Sequence, residues 1–254
     1  MQLDLAPPNL PWMEENALFP EVERAWGPQT EAPGLLAAGA GLDVPRLVQA
    51  YSSGIFPWFS QGQPVLWWSP DPRMVLQISD FKLQRSLRKT LTRYGANPNF
   101  DLRFDTAFDR VIQACASSPR DGQNGTWIVP DMVQAYQALH RAGFAHSVET
   151  WLEGELVAGL YFVNLGHAVF GESMFSTLSD GSKMALAALV HVCQKHGIQA
   201  IDCQQNTPHL ASLGARMMSR VNFIEQVQSA LNGHSPDWKN ETLDWDAWMR
   251  SQKP

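Results

Sequence analysis

Apolar residues recur along this chain with two different periods, and the changes of period mark out its elements. Leu47, Val48 and Tyr51 form the apolar face of a helix that Asp43-Val44-Pro45 opens by cap and early proline and that Gly54 ends. Ile55–Phe59 and Pro64–Pro72 then carry prolines every few residues. That forbids a long helix and predicts short strands and rigid turns that present aromatics. Arg73–Ile78 reads as a strand, after which composition shifts to ordinary helix formers. Asp80 stands where it can cap a helix running to Tyr94, with Gly95 as its stop. Phe100–Phe104 alternates as a strand, while Thr106–Ser117 and Pro130–Ala142 read as helices. Ala145–Leu152 and Leu156–Asn164, joined by Glu153-Gly154-Glu155, read as a hairpin, and Ala168–Phe175 as a further strand. Ser182–His196 is a strongly amphipathic helix ended by Gly197, and Ala200–Gln204 is a strand entering a helix at Thr207-Pro208. Arg216–Leu231 holds one more strand and helix. The order is that of an α/β (α+β) protein with a mixed sheet. It divides into a small Trp- and Pro-rich α/β unit at 1–79, a larger domain at 80–233 and a tail at 234–254.

A 44% hydrophobic content in 254 residues supports a proper core and excludes disordered and collagen-like classes. Three Cys, odd in number and without C-x-x-C, suggest neither a disulfide frame nor a zinc site. The amino terminus lacks a basic segment followed by an apolar run, and no stretch approaches the roughly 18 apolar residues that span a bilayer. A reduced, cytoplasmic, monomeric protein without membrane contact is expected. Gly39-Ala40-Gly41 begins like a dinucleotide fingerprint but has Val44 in place of the third glycine, and the seven His are scattered. No cofactor and no metal are expected.

The formal charge of −6 argues against bulk attraction to nucleic acid. Its distribution weakens that argument, because residues 1–31 carry six acids and one base, leaving 19 acids and 18 bases beyond. Lys82, Arg85, Arg88, Lys89 and Arg93 follow one another without an intervening acid, broadly on one side of a helix. Such a stripe suits phosphates or is a solvated face. Trp58, Trp67 and Trp68 just upstream tilt the choice, since aromatics stack unpaired bases. Alternation sends Trp67 and Trp68 to opposite faces, one of them into the core. Two apolar strands also carry carboxylates: Glu172 in Phe170–Ser176, and Asp202 in Ile201–Gln204, where Asp202 and Gln204 should share a face. Buried carboxylates are costly unless paired or used.

The runs Gly34–Ala37, Gly54-Ile55-Phe56-Pro57-Trp58-Phe59, Leu66-Trp67-Trp68-Ser69-Pro70-Asp71-Pro72-Arg73 and Thr126-Trp127-Ile128 resemble the leucyl/phenylalanyl-tRNA–protein transferase family. So do His146-Ser147-Val148-Glu149, Gly171–Ser176, Ile201–Gln204 and Ala211–Ala215, all in the family's order over about residues 18–225. Gly39-Ala40-Gly41-Leu42 and Asp180-Gly181-Ser182-Lys183 depart from the family pattern in two turns, and the tail after Leu231 lies outside the resemblance. The resemblance implies a GNAT-like acetyltransferase fold for the larger domain. It also implies a cytoplasmic enzyme that takes Leu or Phe, with Met a further candidate, from aminoacyl-tRNA. The acceptor would be the N-terminal Arg or Lys of a protein, which is thereby marked for degradation. Ser176–Ser182 lacks the pyrophosphate loop of a coenzyme A enzyme, which fits a donor carried by tRNA.

On this reading Asp202 orients or deprotonates the acceptor amine, directly or through Gln204, or is an anchor while the adenosine 2′-hydroxyl relays protons; Gln204 steadies the oxyanion. Glu172 holds the cationic acceptor end. The terminal adenosine stacks near Trp68 or Trp127. Phe170, Met174, Phe175, Leu186, Leu189 and Ile201 form the amino-acid pocket. Arg73, Lys82, Arg85, Arg88 and Lys89 meet the tRNA backbone. Two other classes fit the same residues: a tRNA-dependent transferase with a different amine acceptor, and a non-catalytic RNA-binding module.

Overall fold

A computed structural model describes residues 9–118 and 128–252. In chain order the elements are β1 (Trp12–Met13), β2 (Leu35–Gly39), α1 (Val44–Ser52), β3 (Phe56–Pro57), β4 (Leu66–Trp68), β5 (Arg73–Gln77), α2 (Arg85–Gly95) and β6 (Phe100–Phe104). They continue with α3 (Phe108–Ser117), α4 (Pro130–Arg141), β7 (Ala145–Leu152), β8 (Glu155–Leu165), β9 (Ala168–Ser176) and α5 (Gly181–Lys195). The last are β10 (Ala200–Gln204), α6 (Pro208–Ser212), β11 (Arg216–Met218), α7 (Arg220–Ala230) and α8 (Trp245–Ser251).

The mixed α/β architecture is the one expected. A small sheet of order β1-β2-β4-β3 stands beside a seven-stranded sheet of order β11-β5-β10-β9-β8-β7-β6. In the large sheet β9 and β10 run parallel and pair only at Val169–Ile201 and Phe170–Asp202, after which they diverge. The other neighbours in it are antiparallel. The divergence opens a gap in the middle of the sheet, and the functional cleft lies there.

Two cores cover the faces of the large sheet. One joins α1, Trp67, α3, α4 and α7 to the faces of Val75, Tyr161, Phe170 and Phe175. The other packs α2, α5, Trp238 and Trp248 on Met74, Leu76, Phe162 and Ile201. The first core includes residues of both the small unit and the large sheet, so the two units are cemented by burial.

Three sequence expectations need correction. A division near residue 80 assigns the strand expected at Arg73–Ile78 to the N-terminal unit, yet β5 lies inside the large sheet between β11 and β10, so that division would separate it from its ladder partners. Asp80 does not cap α2. It ends a short 3-10 turn, and the helix starts only at Arg85, because Lys82 N–H bonds Leu213 O and Phe81 is drawn into the core. Helix α5 is buried on most of its surface rather than amphipathic, because the segment from 238 to 252 covers its outer side. Trp238 in that segment is 1% exposed, its indole N–H donates to Asn164 Oδ1 at 3.0 Å, and it packs edge-on against Phe162.

Trp238→Ala should lower stability by about 3–5 kcal/mol, the usual cost of emptying a large aromatic site. Urea unfolding of the two proteins measures this directly.

Candidate functional site

The site is built by two β-bulges at the point where β9 and β10 part. In β9, Gly171 is opposite Phe162 and Ser173 opposite Tyr161, so Glu172 is an extra residue without a partner. One extra residue reverses the alternation of faces beyond it. Phe170 and Phe175, five apart, therefore both enter the first core, while Met174 turns to the cleft. In β10, Asp202 is opposite Val75 and Gln204 opposite Met74, which makes Cys203 the extra residue. Gln204 takes the left-handed backbone, φ 59°. Asp202 and Gln204, expected on one face, are thus separated: Gln204 lines the cleft, and Asp202 lines a smaller cavity with Val75, Phe170 and Phe223.

Asp202 is 2% exposed and bound by Arg73 in a fork: Nε to Oδ1 at 2.9 Å and Nη2 to Oδ2 at 2.7 Å. Oδ1 also accepts the Gln204 backbone N–H at 2.9 Å. The Arg73 guanidinium lies 4.7 Å from the Phe56 ring centroid and 4.6 Å from that of Phe223, and its Nη1 donates to Gly54 O. Arg73 was expected on the tRNA backbone; it is 0% exposed and serves Asp202 instead. Both Asp202 oxygens are thus engaged by Arg73 and the Gln204 N–H, and the residue is outside the cleft lining.

Glu172 and Gln204 meet at the cleft floor, Gln204 Nε2 donating to Glu172 Oε1 at 2.8 Å. Tyr51 from α1 donates to Oε1 at 2.7 Å, Tyr136 from α4 donates to Oε2 at 3.0 Å, and the two phenol oxygens share a short hydrogen bond. Burial raises both phenols well above their ordinary value, and the Glu172 charge raises them further, so they remain protonated donors. Burial likewise pushes the Glu172 carboxyl up to about 7, against the opposing effect of the phenol hydrogen bonds.

The cleft above them, about 940 Å³, is walled by Met174, Leu186, Leu189 and Ile201 and also by Trp58 and Leu210, whereas Phe170 and Phe175, two of the six expected pocket residues, are buried in the first core, on the other side of the bulge. Trp68, expected to stack on adenosine, is outside that lining. Its indole N–H donates to Trp58 O at 2.7 Å, and the two rings lie 5.2 Å apart, so it supports Trp58. Trp67 is the core member of the pair, as expected. Trp127 lies outside the described residues. On α2, Arg85, Lys89 and Arg93 are exposed, as is Lys82 just before it, whereas Arg88 is turned aside to Met249 O and Gln252 O.

Sequence reasoning missed Trp58, Tyr51 and Tyr136 as site residues. Tyr51 was read as one apolar position of α1, although a buried phenol needs a polar partner, a requirement legible in principle. The scattered histidines also hid a cluster. Asp105, His140 and His146 bring ligand atoms within 4.8 Å of one another, and Asp105 Oδ2 lies 2.7 Å from His146 Nδ1. His140 Nδ1 is engaged by Ala145 O at 2.7 Å. Hydrogen bonds within the protein thus account for much of this grouping.

The family model described as leucyl/phenylalanyl-tRNA protein transferase matches residues 75–228, and the model of its N-terminal domain matches residues 41–71. A protein of Polaromonas sp. strain JS666 with the name leucyl/phenylalanyl-tRNA–protein transferase is 59% identical over 248 residues, 98% of this chain and 97% of the relative. Another of that name from Albidiferax ferrireducens is 57% identical over 239 residues, 94% of each chain. Among solved structures, FemX aligns over 68% of this chain and 66% of its own at 11% identity, TM-score 0.45. A GCN5-related N-acetyltransferase-like protein of Streptococcus suis aligns over 69% and 64% at 13% identity, TM-score 0.35.

Two measurements check the site. Arg73→Ala strands a buried carboxylate and should cost about 3–5 kcal/mol in urea unfolding. Glu172 binds its proton more tightly folded than unfolded, so its contribution to stability is complete at acid pH and lost as pH rises through about 7. Stability should therefore fall from about pH 5 to about pH 8, and Glu172→Gln should remove that part of the fall.

Proposed function

Because this chain belongs to the leucyl/phenylalanyl-tRNA protein transferase family, a family of aminoacyltransferases, we propose that it moves Leu or Phe from tRNA to the N-terminal Arg or Lys of acceptor proteins, marking them for degradation. Met, unbranched at Cβ and apolar, is a third donor on the same grounds. The observation that carries this reading is the meeting of Glu172 and Gln204 beneath an apolar wall. An anionic group at the floor of a cleft attracts a cationic chain end, and Met174, Leu186, Leu189 and Ile201 suit an unbranched or aromatic side chain.

The reaction exchanges an ester for an amide. The acceptor nitrogen attacks the ester carbonyl, the bond to the ribose oxygen breaks, and the amine proton leaves to that oxygen or to a base. The acceptor amine, with an ordinary pKa near about 8, must attack unprotonated. In our reading the Gln204 carbonyl oxygen, whose amide NH₂ is committed to Glu172, accepts from the attacking amine and aims its lone pair at the ester. Glu172, poised near neutrality by burial, takes up the acceptor's positive charge; Tyr51 and Tyr136 hold it in place. Asp202 acts through Gln204: its bond to the Gln204 N–H keeps the bulge that turns this side chain into the cleft. Terminal adenosine stacks on Trp58, and tRNA phosphates meet Lys82, Arg85, Lys89 and Arg93. No chemical step in this scheme needs a cofactor.

Incubation with separately charged Leu-, Phe- and Met-tRNA and peptides beginning with Arg, Lys or Ala tests the proposal. Transfer to Arg and Lys but not Ala is expected, and Gln204→Ala should lower kcat about a hundredfold, the scale of a misplaced reacting group. Equal transfer to Ala would overturn the assigned acceptor. Binding of tRNA without any transfer would leave only the RNA-binding module.

A further inference from the structure

The five cations of the α2 region divide by helical spacing. Arg85, Lys89 and Arg93 follow one another at intervals of four and are exposed along one stripe. Arg88 lies on the neighbouring stripe with Thr92, whose hydroxyl donates to Arg88 O at 2.9 Å, and Arg88 itself is engaged by the C-terminal segment. Arg88 Nη1 donates to Met249 O at 2.6 Å and Nη2 to Gln252 O at 3.2 Å, at the end of α8. Carbonyls there lack helical partners and carry the negative end of the helix dipole, so a guanidinium is well matched to them.

The same segment grips two other elements. Trp248, 4% exposed, stacks on His191 of α5 with ring centroids 5.5 Å apart, packs against Phe81 ahead of α2, and donates its indole N–H to Gln194 Oε1 at 2.6 Å. Glu241 takes Lys195 Nζ at 2.8 Å and His196 Nε2 at 2.6 Å at the far end of α5. Helix α5 in turn supplies Leu186 and Leu189 to the cleft wall. Only Leu87 and Leu91 of α2 are buried, so the helix has few apolar anchors of its own.

We propose that residues 241–252 form a clamp that sets α2 against α5 and so fixes the distance between the cationic stripe and the amino-acid pocket. Arg88 is then a positioning residue that touches no phosphate. The clamp rests on the reading of Lys82, Arg85, Lys89 and Arg93 as the tRNA-backbone contact. Its consequence is specific: breaking it impairs use of a whole tRNA, whose phosphates and charged end must be engaged together. A short donor that lacks the tRNA body is unaffected.

Transfer kinetics with Leu-tRNA and with the 3′-end fragment leucyl-adenosine separate the possibilities. Arg88→Ala and Trp248→Ala should each raise KM for Leu-tRNA about tenfold, the scale of losing one or two phosphate contacts, with kcat unchanged. Both should leave turnover of the fragment within about twofold, an interval too small to reflect a lost phosphate contact. Arg88→Lys, which keeps one donor for Met249 O, should recover part of the loss. Trp248→Ala removes no charge, so a loss of tRNA affinity in that variant cannot come from a missing phosphate contact. Arg85→Ala and Lys89→Ala serve as the reference, and each should reduce the dependence of log K on log salt by about 0.7–0.9. If those two raise KM while Arg88→Ala and Trp248→Ala do not, the clamp is wrong and the stripe stands. If Arg85→Ala and Lys89→Ala leave KM and the salt dependence unchanged, the stripe itself is wrong. Loss of fragment turnover in Trp248→Ala means that the segment supports the whole domain rather than the tRNA register, and this too overturns the proposal.

Discussion

The Arg73–Asp202 pair is the interaction on which the rest of the site depends. It joins β5 to β10 across their ladder, reaches Gly54 O at the end of the α1 region, and is packed between Phe56 of the small sheet and Phe223 of α7. Removing two charges from water is expensive, and such a pair is not by itself a source of net stability. It yields uniqueness of arrangement. With both Asp202 oxygens committed, the spare acceptor capacity of Oδ1 goes to the Gln204 N–H, and the bulge in β10 has one geometry.

Around that anchor, two single-residue bulges do what a regular sheet cannot. A strand without a bulge presents every second residue to one face, so a carboxylate and an amide on adjacent strands would point wherever the apolar pattern sent them. Inserting Glu172 and Cys203 as unpaired residues lets Phe170 and Phe175 stay in one core, while Glu172, Met174 and Gln204 face the gap between β9 and β10. The tyrosines complete the arrangement from two helices that belong to different parts of the chain. Tyr51 comes from the small unit and Tyr136 from α4, so closing the site and docking the two units are one event.

Charge follows a similar logic of separation. Five units of the net −6 lie in the first 31 residues, leaving the α2 stripe free to act locally, since exposed charges are screened beyond about 10 Å in ordinary salt. Within the stripe, the one arginine that a composition count treats as equivalent to its neighbours has a different task. Arg88 is distinguished only by what packs beside it.

The sequence by itself determined the strands other than β1 and β2, most helices, the mixed sheet and the family. Those signals are local: period, caps, proline spacing and short runs in a fixed order. It also singled out Glu172, Gln204, Met174, Leu186, Leu189 and Ile201, which line the cleft. What it could not determine was which face a residue takes beyond a bulge, because one unpaired residue reverses alternation without leaving a mark in the pattern. Nor could it pair Arg73 with Asp202, 129 positions away, or show that Trp58 and not Trp68 lines the cleft. The amphipathic reading of α5 failed for the same reason: its polar side, with His191 and Gln194, is covered by a segment some 50 residues further along. Local chemistry chose most of the elements and the candidate side chains. Long-range packing chose which of those groups face the cleft, because burial and hydrogen-bond satisfaction depend on neighbours that only the folded chain brings together.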